Sequence, residues 1–126
     1  MSLRSPLGRV LGLGSAKSGT SHWWGQRVSA VALVPLMLWF VFSLLLLPNL
    51  DFETLRAWLQ YPITGFLTAL LFGVLTYHSY LGTRVIVEDY VHAEAPKLIG
   101  LLGLRFVHVL AGGAGIFAIL RVAFGT

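Results

Sequence analysis

Residues 28–49 read VSAVALVPLMLWFVFSLLLLPN, and no charged side chain interrupts them. About 20 apolar residues in helical form cross a hydrocarbon core about 30 Å thick, so this run is long enough to span a membrane. Residues 57–83, AWLQYPITGFLTALLFGVLTYHSYLGT, are equally free of charge. Residues 98–120, LIGLLGLRFVHVLAGGAGIFAIL, are long enough as well but carry Arg105 and His108. Together they predict an all-α integral membrane protein with three transmembrane helices, over about residues 22–48, 62–87 and 96–124. An N-terminal arm of residues 1–21 precedes the 22–126 anchor. Little chain is left for a water-soluble catalytic domain, so such a domain must come from a partner, and the chain reads as part of a heteromeric helix bundle.

The composition agrees. Of 126 residues, 56% are hydrophobic and 11% charged, against about 25% charged in soluble domains, and the mean hydropathy is +0.79. There is no cysteine, which excludes a disulfide framework, a cysteine-held iron–sulfur cluster and covalent c-type haem within this chain. The net charge of +4 does not mark a nucleic-acid surface, because the basic residues sort by topology and form no patch. Arg4, Arg9, Lys17 and Arg27 precede the first span, Arg56 sits alone in the first loop, Arg84 and Lys97 flank the second, and Arg121 lies near the end. The positive-inside rule then places the N-terminus and second loop in the cytoplasm. The arm, MSLRSPLGRVLGLGSAKSGT, is basic and acid-poor like an organelle transit peptide but lacks the apolar core of a secretory signal. It reads as a retained cytoplasmic arm, which favours a bacterial inner (plasma) membrane over a mitochondrial one.

Local signals refine the spans. HWWGQR, residues 22–27, sets two tryptophans and an arginine at the start of the first helix, as an interfacial collar does. Pro35 lies inside that helix and Pro48-Asn49 ends it. DFETLRAWLQYP, residues 51–62, spaces Phe52, Leu55, Trp58 and Leu59 as a mildly amphipathic segment that lies on the outer surface. The third span is rich in glycine (Gly100, Gly103, Gly112, Gly113, Gly115), which lowers helix propensity and admits close approach of a neighbouring helix or cofactor.

The chemistry concentrates in HSYLGTRVIVEDYVHAEAPK, residues 78–97. An ionisable His78 deep in a span is a functional candidate, because unsatisfied ring nitrogens in lipid cost several kcal/mol; the plainer reading is an interhelical hydrogen bond. Eleven residues at about 100° each return to within about 20° of the starting direction, so Asp89 shares a helix face with His78, about 16 Å along the axis. With Asp89 at the inner surface, His78 falls near mid-bilayer. A mid-membrane imidazole aligned with a surface carboxylate suits an axial haem ligand below a site that exchanges protons with water, and Gly82, one turn from His78, leaves room for a flat macrocycle. A b-type haem commonly takes two axial ligands. His108 is the in-chain candidate for the second, His22 and His92 being near the surface. The stronger reading of His108, with Arg105 three residues before it on the same face, is a polar pair that bonds a neighbouring helix or the haem edge. Tyr90 is an interfacial phenol able to donate to a carbonyl oxygen, or a plain aromatic-belt residue. Arg27 and Arg84 both suit a phospholipid headgroup.

The string H-x-x-x-G-x-x-x-x-x-x-D-Y (His78, Gly82, Asp89, Tyr90), with HWWGQR and three spans in a chain of this length, resembles the small membrane-anchor subunit of succinate dehydrogenase, respiratory complex II. The resemblance runs from about His22 to the end. It implies that His78 is one axial ligand of haem b, the other coming from the large cytochrome b anchor subunit, and that Arg27 pairs with a haem propionate. It further implies that Tyr90 hydrogen-bonds a ubiquinone carbonyl, that Asp89 is linked to the proton supply, and that a flavoprotein and an iron–sulfur subunit dock on the anchor. On that reading His108 is supernumerary, and the chain itself oxidises no succinate. Other classes stay open: the anchor of a fumarate reductase, a proton-relay or transport subunit built on His78, Asp89 and His108, or a purely structural anchor.

Overall fold

The computed structural model describes residues 19–125. Every regular element among them is helical: α1 (Gly19–Leu45), α2 (Phe52–Gln60), α3 (Pro62–Tyr90) and α4 (Glu94–Ala123). With 27, 29 and 30 residues at 1.5 Å rise each, α1, α3 and α4 are about 40–45 Å long, the thickness of a bilayer with its headgroups. All three are long and apolar enough to cross a membrane. Residues 1–18 of the expected arm lie outside the described residues, whereas Gly19, Thr20 and Ser21 already belong to α1.

Each boundary has a local cause. The helical backbone of α1 continues through Pro35 and stops at Leu45, just ahead of Pro48, whose ring disfavours helical backbone at Leu47. The turn is closed by Leu46 N–H to Phe42 O at 3.2 Å and Leu47 N–H to Leu44 O at 3.2 Å. Asp51 caps α2 by accepting from Thr54 N–H at 2.8 Å, while the Thr54 hydroxyl donates to Asn49 Oδ1 at 2.6 Å. The hydrogen bond from the Thr54 backbone N–H holds the Asp51 carboxyl below the usual carboxylate range. Pro62 opens α3 at the position where a missing N–H costs no hydrogen bond. At the other end of α3, Val91 N–H bonds Val87 O at 3.1 Å, and Lys97 Nζ donates to Glu88 O at 2.7 Å, which satisfies carbonyls the helix itself leaves open.

The central element is α3. It packs on α1 and on α4, while α1 and α4 make no direct helix–helix packing among the described residues. The amphipathic segment is the nine-residue α2, with no buried residue. It leans on α3 and α4, and its Trp58 stacks on Trp39 of α1 with ring centroids 6.1 Å apart and planes 18° from parallel. Small residues set the approach distances. A Cβ on Gly25 would stand 2.7 Å from Tyr77 Oη and 3.2 Å from Leu81 Cδ1, so α1 meets α3 at a glycine. A Cβ on Gly112 would stand 2.9 Å from Thr76 Cγ2, and one on Gly115 would collide with the Phe72 ring. The glycine-rich third span thus fits close approach at Gly112 and Gly115, but Gly103 and Gly113 have nothing within 4 Å.

Very little of the chain is interior. Leu71 and Leu81 are its buried apolar residues, and Ser29 and Thr64 its buried polar ones, among those described. In lipid this is no contradiction, since packing and interhelical hydrogen bonds hold helices together there.

Candidate functional site

His78 sits on the α1-facing side of α3, half-buried, and α1 supplies both of its partners. Ser29 Oγ lies 2.9 Å from His78 Nδ1, and Gln26 Nε2 lies 3.3 Å from His78 Nε2. Ser29 is 5% exposed. Its hydroxyl also reaches back to Gly25 O at 2.7 Å and Gln26 O at 3.1 Å, the bond a helical serine makes to the preceding turn.

These distances fix the tautomer. A hydroxyl has one hydrogen to donate. If it went to His78, Ser29 Oγ would face two carbonyl oxygens with no proton between them. The hydroxyl therefore donates to the carbonyls, and His78 Nδ1–H donates to Ser29 Oγ. That leaves Nε2 with its lone pair bare, taking a long contact from the Gln26 amide. The amide's own oxygen, Gln26 Oε1, is buried with no partner.

The arrangement fits the haem that the sequence resemblance implies. An axial ligand needs a neutral imidazole, a lone pair that can be uncovered and space beside the ring. The Ser29 bond supplies the first. Only a flexible amide covers the lone pair, and its unsatisfied oxygen makes it cheap to displace. At Gly82 a Cβ would find Gln26 Nε2, at 3.6 Å, as its neighbour, so the same amide fills the space beside the ring. No group of three or more His, Cys, Asp or Glu among the described residues could hold a metal by itself; an axial site asks this chain for one imidazole.

The remaining predicted residues fall in three places. Asp89 and Tyr90 are the last residues of α3, both exposed, Tyr90 at 79%, so the carboxylate and the phenol are open to a ligand or a partner at the end of the span. Arg27 is exposed on α1, its guanidinium 5.1 Å from the Trp23 ring centroid, a cation–π contact that keeps it at the collar. Arg105 and His108 lie on α4, with α3 between them and Ser29. His108 Nδ1–H donates to Leu104 O at 2.9 Å, and Ser79 Oγ lies 3.3 Å from its Nε2. Tyr80 meets the His108 ring edge-on at 5.7 Å. Both Arg105 and His108 line a cleft of about 320 Å³ between α3 and α4, with Tyr77, Tyr80 and Gly112. A second hollow of about 530 Å³ adjoins it through Tyr77, Tyr80 and Arg105 and reaches His22, Arg84 and Glu88, where Arg84 Nε donates to Glu88 Oε1 at 2.8 Å. The structure brings His78 together with Ser29, Gln26 and Gly82, and does not bring it together with His108 or Arg105.

Sequence reasoning passed over Ser29 and Gln26. Gln26 stands inside HWWGQR, but its role appears only once α1 is laid against α3. For Ser29 a weak signal exists: it is a lone hydroxyl four residues after Gly25, on the helix face that the glycine opens to α3.

Three bilayer-length apolar helices, with an imidazole held between two of them and a phenol and carboxylate at the end of one, define a multi-pass membrane subunit. The family model described as succinate dehydrogenase/fumarate reductase transmembrane subunit matches residues 1–112, and the chain belongs to that family. It is 33% identical over 118 residues to the succinate dehydrogenase hydrophobic membrane anchor subunit of Rickettsia bellii (strain RML369-C), covering 92% of this chain and 93% of the relative. It is also 33% identical over 114 residues to the protein of the same description from Paracoccus denitrificans, covering 90% of this chain and 88% of that one. With the succinate dehydrogenase membrane anchor subunit of Reclinomonas americana it shares 30% over 99 residues, 74% and 80% of the two chains. No solved structure matches it.

Proposed function

We propose that this chain is the small membrane anchor of a succinate:ubiquinone oxidoreductase, providing one axial ligand to haem b and part of the ubiquinone-reduction site. The observation that carries the reading is the His78 imidazole, bonded through Nδ1 to Ser29 and turning a bare Nε2 toward a displaceable amide. Membership of the family and the likeness to named anchor subunits support it. A single ligand from this chain requires the second from a partner, the large cytochrome b anchor subunit. A flavoprotein and an iron–sulfur subunit complete the complex on the side of Asp89 and Tyr90. That side is the cytoplasm of a bacterial inner membrane, by the distribution of Arg and Lys.

Each residue has a physical task. When bound, the haem supplies one-electron storage between the iron–sulfur chain and the quinone. His78 holds its ring in one tautomer and one plane. Arg27, at the collar on the same side of the membrane, offers a guanidinium to a propionate. Tyr90 O–H donates to a quinone carbonyl, which draws electron density toward that oxygen as reduction proceeds. Asp89, exposed and adjacent, accepts protons from water and delivers them to the same site, since quinone reduction consumes two electrons and two protons.

The test is a reduced-minus-oxidised spectrum of the complex purified in mild detergent, for the wild type and His78→Ala. A b-type spectrum that disappears with the substitution supports the reading. A complex without b-type absorbance, or one whose haem is untouched by His78→Ala, sinks it. Copurification of a flavoprotein, an iron–sulfur protein and a second helical subunit tests the partners.

A further inference from the structure

We infer that Ser29 is a positioning residue for the haem-ligating histidine: its hydroxyl, itself tied to the Gly25 carbonyl, accepts from His78 Nδ1–H and thereby sets the ring's tautomer, its orientation and its strength as a donor. The inference rests on the haem reading of His78 and adds to it a residue on a different helix.

The geometry is closed in every direction. Ser29 is 5% exposed, so water does not compete for its oxygen. Its single proton is committed to the backbone at 2.7 Å, which leaves its lone pairs for His78 at 2.9 Å. A histidine free to choose would place its proton on either nitrogen, and the wrong choice puts N–H where a metal needs a lone pair. Here the choice is set by an oxygen whose one proton is engaged with the backbone carbonyls of its own helix. A metal-bound histidine almost always donates its second ring N–H to an oxygen of this kind, and such a bond raises the basicity of the ligating nitrogen. More basic nitrogen favours the oxidised iron, so Ser29 holds the potential down. The bond also spans two helices, 49 residues apart in sequence, at the point where α1 meets α3 through Gly25. The depth and rotation of α1 are thereby tied to the plane of the imidazole.

The experiment is a redox titration with electron paramagnetic resonance of the ferric haem, on the intact complex carrying Ser29→Ala or Ser29→Thr. The expected result for Ser29→Ala is retained haem with altered ferric signals and a raised midpoint potential. A threefold change in the oxidised-to-reduced ratio at fixed potential corresponds to about 30 mV for one electron. Ser29→Thr, which keeps the hydroxyl, is expected to return both readouts toward wild type. If Ser29→Ala destabilises assembly, haem retained by the Thr variant and lost from the Ala variant supports the hydroxyl's role. Loss from both overturns it, because side-chain volume would then be what position 29 requires. Wild-type signals and potential in Ser29→Ala overturn the inference while leaving haem ligation by His78 intact. Loss of the haem reading itself would appear separately, as His78→Ala with unchanged haem.

Discussion

Two of the histidines in the membrane-spanning helices, His78 and His108, are held in different ways. On the α1 side of α3, His78 spends both nitrogens on another helix, reaching Ser29 and Gln26 across 49 and 52 residues of sequence. On α4, His108 ties Nδ1 to the carbonyl of its own preceding turn, and Ser79 covers its Nε2. A ring bonded to its own helix backbone is satisfied as soon as the helix forms, and Ser79 completes it when α4 docks. A ring that must borrow from a second helix is oriented only by the assembled fold, and its remaining contact, at 3.3 Å as long as the one from Ser79 to His108, comes from an amide with an unsatisfied oxygen. The first arrangement removes a polar cost. The second makes the ring's orientation depend on how two helices pack.

The sharpest way to break this contrast is to remove each ring. His78→Ala is expected to abolish most of the b-type absorbance of the complex, whereas His108→Ala leaves the spectrum unchanged and costs about 1 kcal/mol of stability, the worth of one hydrogen bond. Equal loss of haem from the two variants would erase the distinction. Next in size is Tyr90→Phe, which removes an exposed hydroxyl without touching the packing. About a tenfold fall in kcat/KM for quinone is expected with assembly intact, the equivalent of a hydrogen bond of about 1.4 kcal/mol, read by steady-state quinone reduction. The α4 side gives the third test. Gly112→Ala sets a methyl against Thr76, whose hydroxyl is already committed to Phe72 O at 2.8 Å, and overpacking of this kind costs about 1–3 kcal/mol. Gly113→Ala, with open space around it, is expected to be neutral or to stabilise by up to about 1 kcal/mol. Thermal unfolding in detergent compares the pair.

The smallest effect lies outside the membrane. The folded-state pKa of Asp51 is depressed by its bond from the Thr54 N–H, so its cap stabilises α2 above the unfolded carboxylate range. That contribution is lost as pH falls through the lower folded value. Acidification is expected to loosen α2 and to change the fluorescence of Trp58, stacked on Trp39; Asp51→Asn should flatten the pH response.

Much of this layout was legible in the sequence because lipid is an unforgiving solvent. Charge-free runs of bilayer length have one cheap structure, and the three helices follow from it. The spacing of Phe52, Leu55, Trp58 and Leu59 marked an amphipathic surface segment, and the structure makes a separate helix of it, capped by Asp51. Helical repeat placed Gly82 and Asp89 on the His78 face, a relation within one element. What could not be read was the pairing between elements. Ser29 in an uncharged run carries no periodic signature, and its meaning depends on the rotation of α1 against α3, which Gly25 and Tyr77 decide. The environment of His108 stayed open for the same reason, since Ser79 meets it only through the docking of α4.

Because α3 keeps α1 and α4 from packing on each other, α4 does not pack on the helix whose serine orients His78. A change on α4 reaches that ring through the backbone of α3 or through α2, which leans on α4 and stacks its Trp58 on Trp39 of α1. The outward face of the fourth helix therefore has latitude: its exposed side chains can suit whatever lipid or neighbour they meet, while its seam at Gly112 and Gly115 is fixed by α3 and the pair formed by α1 and α3 bears the constraint of holding one imidazole still.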